Sequence, residues 1–172
     1  IIGVVSRRKA QEVLLRAARQ IARPLNIAFV GIASEPLLAR LAAEAPQHAV
    51  TFVPFVKDPR PYYACLDVSA LPSRQEGLSI AQLESMALGI PFVGSRYAGI
   101  PDLVTDGVDG LLVEHADTRA WAAAIERLLD DPALAARLSG AARTKVLETF
   151  TFDRTLARTE AVYREAIAVR RG

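Results

Sequence analysis

Leu71-Pro72-Ser73-Arg74-Gln75-Glu76-Gly77-Leu78-Ser79-Ile80-Ala81-Gln82-Leu83-Glu84-Ser85-Met86-Ala87-Leu88-Gly89-Ile90-Pro91 reads as a strand end, a loop, a short helix and a stop. Ser79 with Gln82 has the form of a capping box. Gly89 supplies a left-handed stop after Leu88, and Pro91 prevents continuation, so the helix spans residues 80–88. A helix that starts just beyond the carboxyl end of a parallel strand turns free backbone N–H groups and a positive dipole end toward the ligand crevice of the sheet. Phosphate is the natural guest there, and Gly77 lets a ligand approach the backbone closely.

Outward from this stretch, short apolar runs alternate with longer segments of helical period. Residues 1–5, 26–32, 50–55, 68–71, 92–95 and 110–113 read as six strands, several of them apolar throughout, as strands covered on both faces must be. A first helix over 9–22 carries Val13, Leu14, Ala17 and Ile21 on one stripe and stops before Pro24. Asp117 caps a helix with Trp121, Ile125 and Leu128 at core spacing, and Asp131-Pro132 places a cap and a first-turn proline. A final helix runs over 153–168. The pattern predicts an α/β fold, a Rossmann-like parallel sheet of about six strands with helices on both faces. With no repeat, low-complexity tract or long linker, residues 1–172 read as a single domain.

Composition narrows the partners. The chain has 21 Lys and Arg against 19 Asp and Glu, a formal charge of +2, too small to argue for nucleic acid. Cys65 is the only cysteine, which excludes a disulfide framework or a cysteine-based zinc site within the chain, and in Ala64-Cys65-Leu66 it reads as a small core hydrophobe. The longest apolar stretch, Ile27-Ala28-Phe29-Val30-Gly31-Ile32-Ala33, is far short of the ~20 residues a membrane-crossing helix needs. The opening Ile1-Ile2-Gly3-Val4-Val5, an apolar strand without an initiator Met, reads as the start of an excised piece of a longer, cytoplasmic protein.

Two carboxylates flank the start of the decisive helix. Glu84 lies four residues after Ile80 and three before Ala87, which predicts a place on the apolar stripe, where a carboxylate needs partners. Ligand hydroxyls or a neighbouring backbone would serve. Glu76 is either a ligand contact or an exposed loop charge. The Arg7-Arg8-Lys9 cluster follows the first expected strand and faces either the crevice or solvent.

The stretch resembles the signature of the retaining group-1 glycosyltransferases, in which two glutamates are separated by seven residues, as Glu76 and Glu84 are. The similarity continues through Pro72-Ser73, Met86-Ala87-Leu88-Gly89-Ile90-Pro91, Gly99-Ile100-Pro101, Asp106-Gly107, Gly110-Leu111-Leu112-Val113 and Phe150-Thr151-Phe152, nearly the whole chain. The resemblance implies the C-terminal, nucleotide-sugar-binding half of a two-domain GT-B enzyme, with the acceptor-binding N-terminal domain outside this sequence. It implies that Glu76 hydrogen-bonds the transferred sugar, that Glu84 holds the ribose hydroxyls, and that the amides of Gly77, Leu78, Ser79 and Ile80 meet the sugar and diphosphate. Lys9 would neutralise the departing diphosphate. The implied reaction is hexosyl transfer from a nucleotide diphosphate sugar to a carbohydrate or lipid-linked acceptor, without metal or other cofactor, in polysaccharide, lipopolysaccharide or glycolipid synthesis. A non-catalytic nucleotide-sugar binding module, or an epimerase of the same fold, are the alternatives.

The sequence departs from that family pattern at several positions. Val4 stands where the family has an arginine that shares the diphosphate; Ala10, Ala98 and Asp102 replace Gly, Gly and Glu; Glu114-His115-Ala116 replaces a Pro-Pro-Gly-like turn. Asp106-Gly107-Val108-Asp109-Gly110 lacks the oxygen spacing of a calcium loop and reads as a turn. His48 and His115 share no ligand motif and read as surface or turn histidines. Arg154, Arg158, Arg164, Arg170 and Arg171 fit either a solvated helix face or a peripheral contact with an anionic membrane.

Overall fold

The computed structural model describes residues 8–31, 36, 40, 43, 44, 46–97 and 99–171. In chain order its elements are α1 (Gln11–Ala18), β1 (Asn26–Val30), β2 (Ala49–Val53), α2 (Arg60–Tyr63), β3 (Ser69–Leu71), α3 (Ile80–Ala87), β4 (Phe92–Ser95), α4 (Ile100–Leu103), β5 (Leu111–Val113), α5 (Thr118–Asp130), α6 (Pro132–Thr149) and α7 (Phe152–Arg171).

All strand pairing is parallel. β1 pairs with β2, Asn26 opposite Ala49 through Val30 opposite Val53. β3, β4 and β5 form a second sheet in that order, with Ser69 opposite Phe92 and Ser95 opposite Val113. Among the described residues there are five strands, divided two and three, and each falls on one of the six expected. The strand expected over 1–5, with Val4 and Arg7, lies outside the described residues, as do Ile32 and Ala98. β2 and β3 stop before Pro54 and Pro72, which have no N–H to continue a ladder.

Helices cover both faces of the three-stranded sheet, as its period-2 pattern requires. On one side Val93, Leu111 and Val113 join Leu14, Leu15 and Ala17 of α1 and Trp121, Ile125 and Leu128 of α5. On the other, Phe92 and Leu112 join Met86 of α3, Ile100 and Leu103 of α4, and Ala142 and Val146 of α6. The α5 and α6 caps form as expected: Asp117 accepts from the amides of Arg119 and Ala120, and Asp131 accepts from Leu134, one residue behind the first-turn Pro132. α7 is exposed over residues 152–170. Among the described residues no helix is long and apolar enough to cross a membrane.

Three local expectations are corrected. α1 is shorter than residues 9–22, because after Ala18 the chain tightens into i→i+3 bonds, Gln20 N–H to Ala17 O and Ile21 N–H to Ala18 O. His48 is buried, not at the surface: its Nδ1 accepts from Leu25 N–H at 3.2 Å while its Nε2 lies 2.7 Å from Ala18 O, clasping the end of α1 to the start of β1. Cys65 is exposed in the turn after α2, its thiol 3.3 Å from Pro61 O, not a core residue.

Candidate functional site

The loop between β3 and α3 is tied down at three points. Ser95 Oγ donates to Ser73 O at 2.5 Å, Arg74 N–H to Arg8 O at 2.8 Å, and Gly99 N–H to Glu76 O at 3.0 Å. The last tie requires glycine, since a Cβ at position 99 would lie 2.0 Å from Gly77 O and 3.0 Å from Glu76 O. The Arg74 guanidinium adds an ion pair to Glu12 in the first turn of α1. β4 and the α4 entry thereby fix a loop whose own sequence carries little regular structure.

That anchoring delivers Glu76 to Lys9. Lys9 Nζ lies 2.6 Å from Glu76 Oε1, and the two side chains retain only 10% and 7% of their exposure. A buried ion pair of this kind stands only because each charge answers the other. Glu76 Oε2 makes no hydrogen bond among the described residues. Lys9 reaches the pair because Ala10 turns the chain into α1 through φ 51°, ψ 39°, fully buried. Left-handed geometry at a non-glycine costs on the order of 1 kcal/mol, which accounts for the glycine of the family pattern at this position.

The capping box does not form. Ser79 holds the N-cap position of α3 in extended geometry, but its Oγ makes no cap hydrogen bond and is buried without a partner. Gln82 turns inward, 1% exposed, its amide 3.9 Å from Met86 Sδ. The first intrahelical bond is Leu83 N–H to Ser79 O, and the N–H groups of Gly77, Leu78, Ser79 and Ile80 donate to nothing among the described residues. A helix N-terminus with uncapped donors is a local concentration of positive potential, while the charge of Lys9 is balanced by Glu76. A Cβ at Gly77 would meet nothing within 4 Å, so the space over this backbone is open. At its far end α3 stops as expected on Gly89, at φ +72°.

Glu84 corrects its expectation. It is exposed, on the stripe it shares with Ile80 (62% exposed) and Leu88 (53%), while α3 buries Gln82, Ser85 and Met86. Its partner is a side chain missed in the sequence: the buried Tyr63 of α2 places its hydroxyl 2.8 Å from Glu84 Oε2 and 3.0 Å from Ala81 O. Burial, then the adjoining Glu84 carboxylate, push the Tyr63 phenol well above its ordinary range. Glu84 opens on a cleft of about 630 Å³ lined also by Lys57, Asp58, Arg60 and Leu88. The structure thus pairs Lys9 with Glu76, in the loop that leads into α3, and sets Glu84 one helical turn inside that helix.

The acidic turn is a turn. Asp106 accepts from Leu112 N–H and pairs with Arg96; Asp109, 4% exposed, accepts from Thr105 N–H and pairs with Lys145. Both carboxylates are consumed structurally, and the described residues contain no group of three or more His, Cys, Asp or Glu able to hold a metal ion.

Residues 1–131 match the family model described as "Glycosyl transferases group 1". The chain belongs to this family. A D-inositol 3-phosphate glycosyltransferase of Thermobispora bispora is 35% identical over an alignment covering 96% of this chain and 42% of the relative. An MMP alpha-(1->4)-mannosyltransferase of Mycolicibacterium hassiacum is 40% identical over 61% of this chain and 26% of its own length. Among solved structures, the sucrose-phosphate synthase of Thermosynechococcus elongatus superposes with a TM-score of 0.86 at 30% identity, over 98% of this chain and 45% of that one. The Anabaena protein HepE, solved in complex with UDP-glucose, shares the fold at a TM-score of 0.83 and 23% identity, over 94% of this chain and 48% of HepE. This chain therefore spans less than half the length of these proteins and shares its α/β architecture with the solved ones.

Proposed function

We propose that this chain binds the nucleotide-sugar donor of a glycosyltransferase that transfers a hexosyl group with retention at the anomeric carbon. The observation that carries the reading is the buried Lys9–Glu76 pair beside the uncapped start of α3. Cleaving the bond between the anomeric carbon and the diphosphate oxygen leaves negative charge on the diphosphate and positive character on the sugar. The amides of Gly77, Leu78, Ser79 and Ile80 offer fixed positive potential to the first at no cost of reorganisation, and Lys9, whose charge Glu76 balances here, turns to the diphosphate as Glu76 engages the sugar. Glu76, with Oε2 unengaged, accepts from a sugar hydroxyl and orients the ring. Glu84 receives the ribose hydroxyls. The arrangement needs no metal, because the lysine and the helix end answer the charge a cation would otherwise answer.

HepE's complex with UDP-glucose supports a nucleotide diphosphate sugar as the ligand class. The names of the relatives support a carbohydrate or phosphorylated acceptor, contacted by a further domain of the whole protein. The enzyme would work in the cytoplasm, in polysaccharide, lipopolysaccharide or glycolipid synthesis.

Transferase assay of the complete protein against its Glu76→Ala variant tests this reading. Removal of Glu76 is expected to lower turnover by at least about a hundredfold, the scale of one lost electrostatic or positioning contact in a transition state. Full activity in the variant would refute the role of Glu76, and a donor that binds without turnover in the wild type would favour a non-catalytic module.

A further inference from the structure

Glu84 is an exposed side chain with rotatable bonds, at the edge of a wide cleft. Such a carboxylate would sample many orientations and give a ligand diol a poor target. The structure removes that freedom with Tyr63. Its ring is 2% exposed, so the phenol cannot swing away, and its hydroxyl has a single hydrogen to give. Two acceptors stand within reach, Glu84 Oε2 at 2.8 Å and Ala81 O at 3.0 Å. The carboxylate is nearer and charged and so takes the stronger bond. Glu84 Oε1 has no partner among the described residues.

We propose that Tyr63 is a positioning residue, which holds Glu84 through Oε2 so that the carboxylate meets the vicinal hydroxyls of a nucleoside ribose and distinguishes ribonucleotides from deoxyribonucleotides. The inference rests on the reading of Glu84 as the ribose-binding group. Tyr63 comes from α2 and Glu84 from α3, so the selectivity of the site depends on how these two helices pack as well as on the ligand-facing residue itself.

The test is calorimetric titration of the complete protein with UDP, GDP and ADP. The tightest of the three is then repeated with its analogues lacking one or other ribose hydroxyl. Wild type, Tyr63→Phe and Glu84→Ala are compared. Tyr63→Phe keeps the buried ring and removes only the hydroxyl, so the fold survives, as the melting temperature will show. Its affinity for the ribonucleotide is expected to fall roughly five- to tenfold, the scale of one ordinary hydrogen bond, with the deoxy analogues unchanged, so that the selectivity ratio approaches that of Glu84→Ala. An equal loss for ribo- and deoxyribonucleotides, or no loss, would mean that Tyr63 is merely structural and would overturn the inference. If Glu84→Ala leaves the selectivity ratio intact, the ribose reading of Glu84 itself is wrong. Absence of binding by all three diphosphates overturns both.

Discussion

At Gly99 the molecule has no room for a side chain, because the carbonyls of Glu76 and Gly77 occupy the space a Cβ would need. Gly99→Ala must therefore push backbone against backbone and move the loop that delivers Glu76. A loss of about 2 kcal/mol or more is expected, the scale of overpacking against an unyielding neighbour. Thermal unfolding measures it, and an unchanged melting temperature would contradict the close approach. Tyr63 carries a pH signature. Its phenol is held above its unfolded value of ~10 by burial and by Glu84, so the stability it contributes is complete below that value and is lost as pH rises beyond it. Denaturation midpoints between about pH 9 and 11 should fall more steeply in the wild type than in Tyr63→Phe; parallel slopes would contradict it.

α3 shows which features of an element are legible in sequence. Its ends are, because stop and cap signals act through the nearest few residues, as at Gly89 and, in α5 and α6, at Asp117 and Asp131. Its orientation is not. Periodicity assigns the buried face to the apolar residues, yet α3 buries Gln82 and Ser85 and exposes Ile80 and Leu88, so the stripe through Glu84 is the solvent face. Burial of polar side chains overrides the pattern here, and the orphaned hydroxyls of Ser73, Ser79 and Ser85 mark the same conflict. The bonds of His48 escape a sequence reading for another reason: its partners lie 30 and 23 residues away. His48→Ala, which opens the α1–β1 clasp, is expected to cost about 2 to 3 kcal/mol, two buried hydrogen bonds and a small cavity. Urea denaturation checks this, and a loss below about 0.5 kcal/mol would show that the clasp is idle.

The whole molecule brings together at one sheet edge what the sequence carries at widely separated positions. Lys9 and Glu76 are 67 residues apart; that both face one crevice was legible through the family resemblance and the expectation that parallel strands aim their carboxyl ends there, but their ion pair was not. The five described strands fall on expected runs, whereas their ends shift by one or two residues, since short apolar runs announce strands without fixing where a ladder closes. The chain spans 42% of its Thermobispora relative, and residues 1–172 alone are expected to show little or no turnover, since acceptor contacts would come from elsewhere in the protein. The central claim is that Lys9 and the uncapped α3 start grip a diphosphate. Its most direct test is the affinity of a nucleoside diphosphate relative to its parent nucleoside, in wild type and in Lys9→Gln, which can still hydrogen-bond Glu76. The diphosphate is predicted to strengthen wild-type binding at least about tenfold, and the variant to lose most of that advantage. An advantage undiminished in Lys9→Gln would contradict the account.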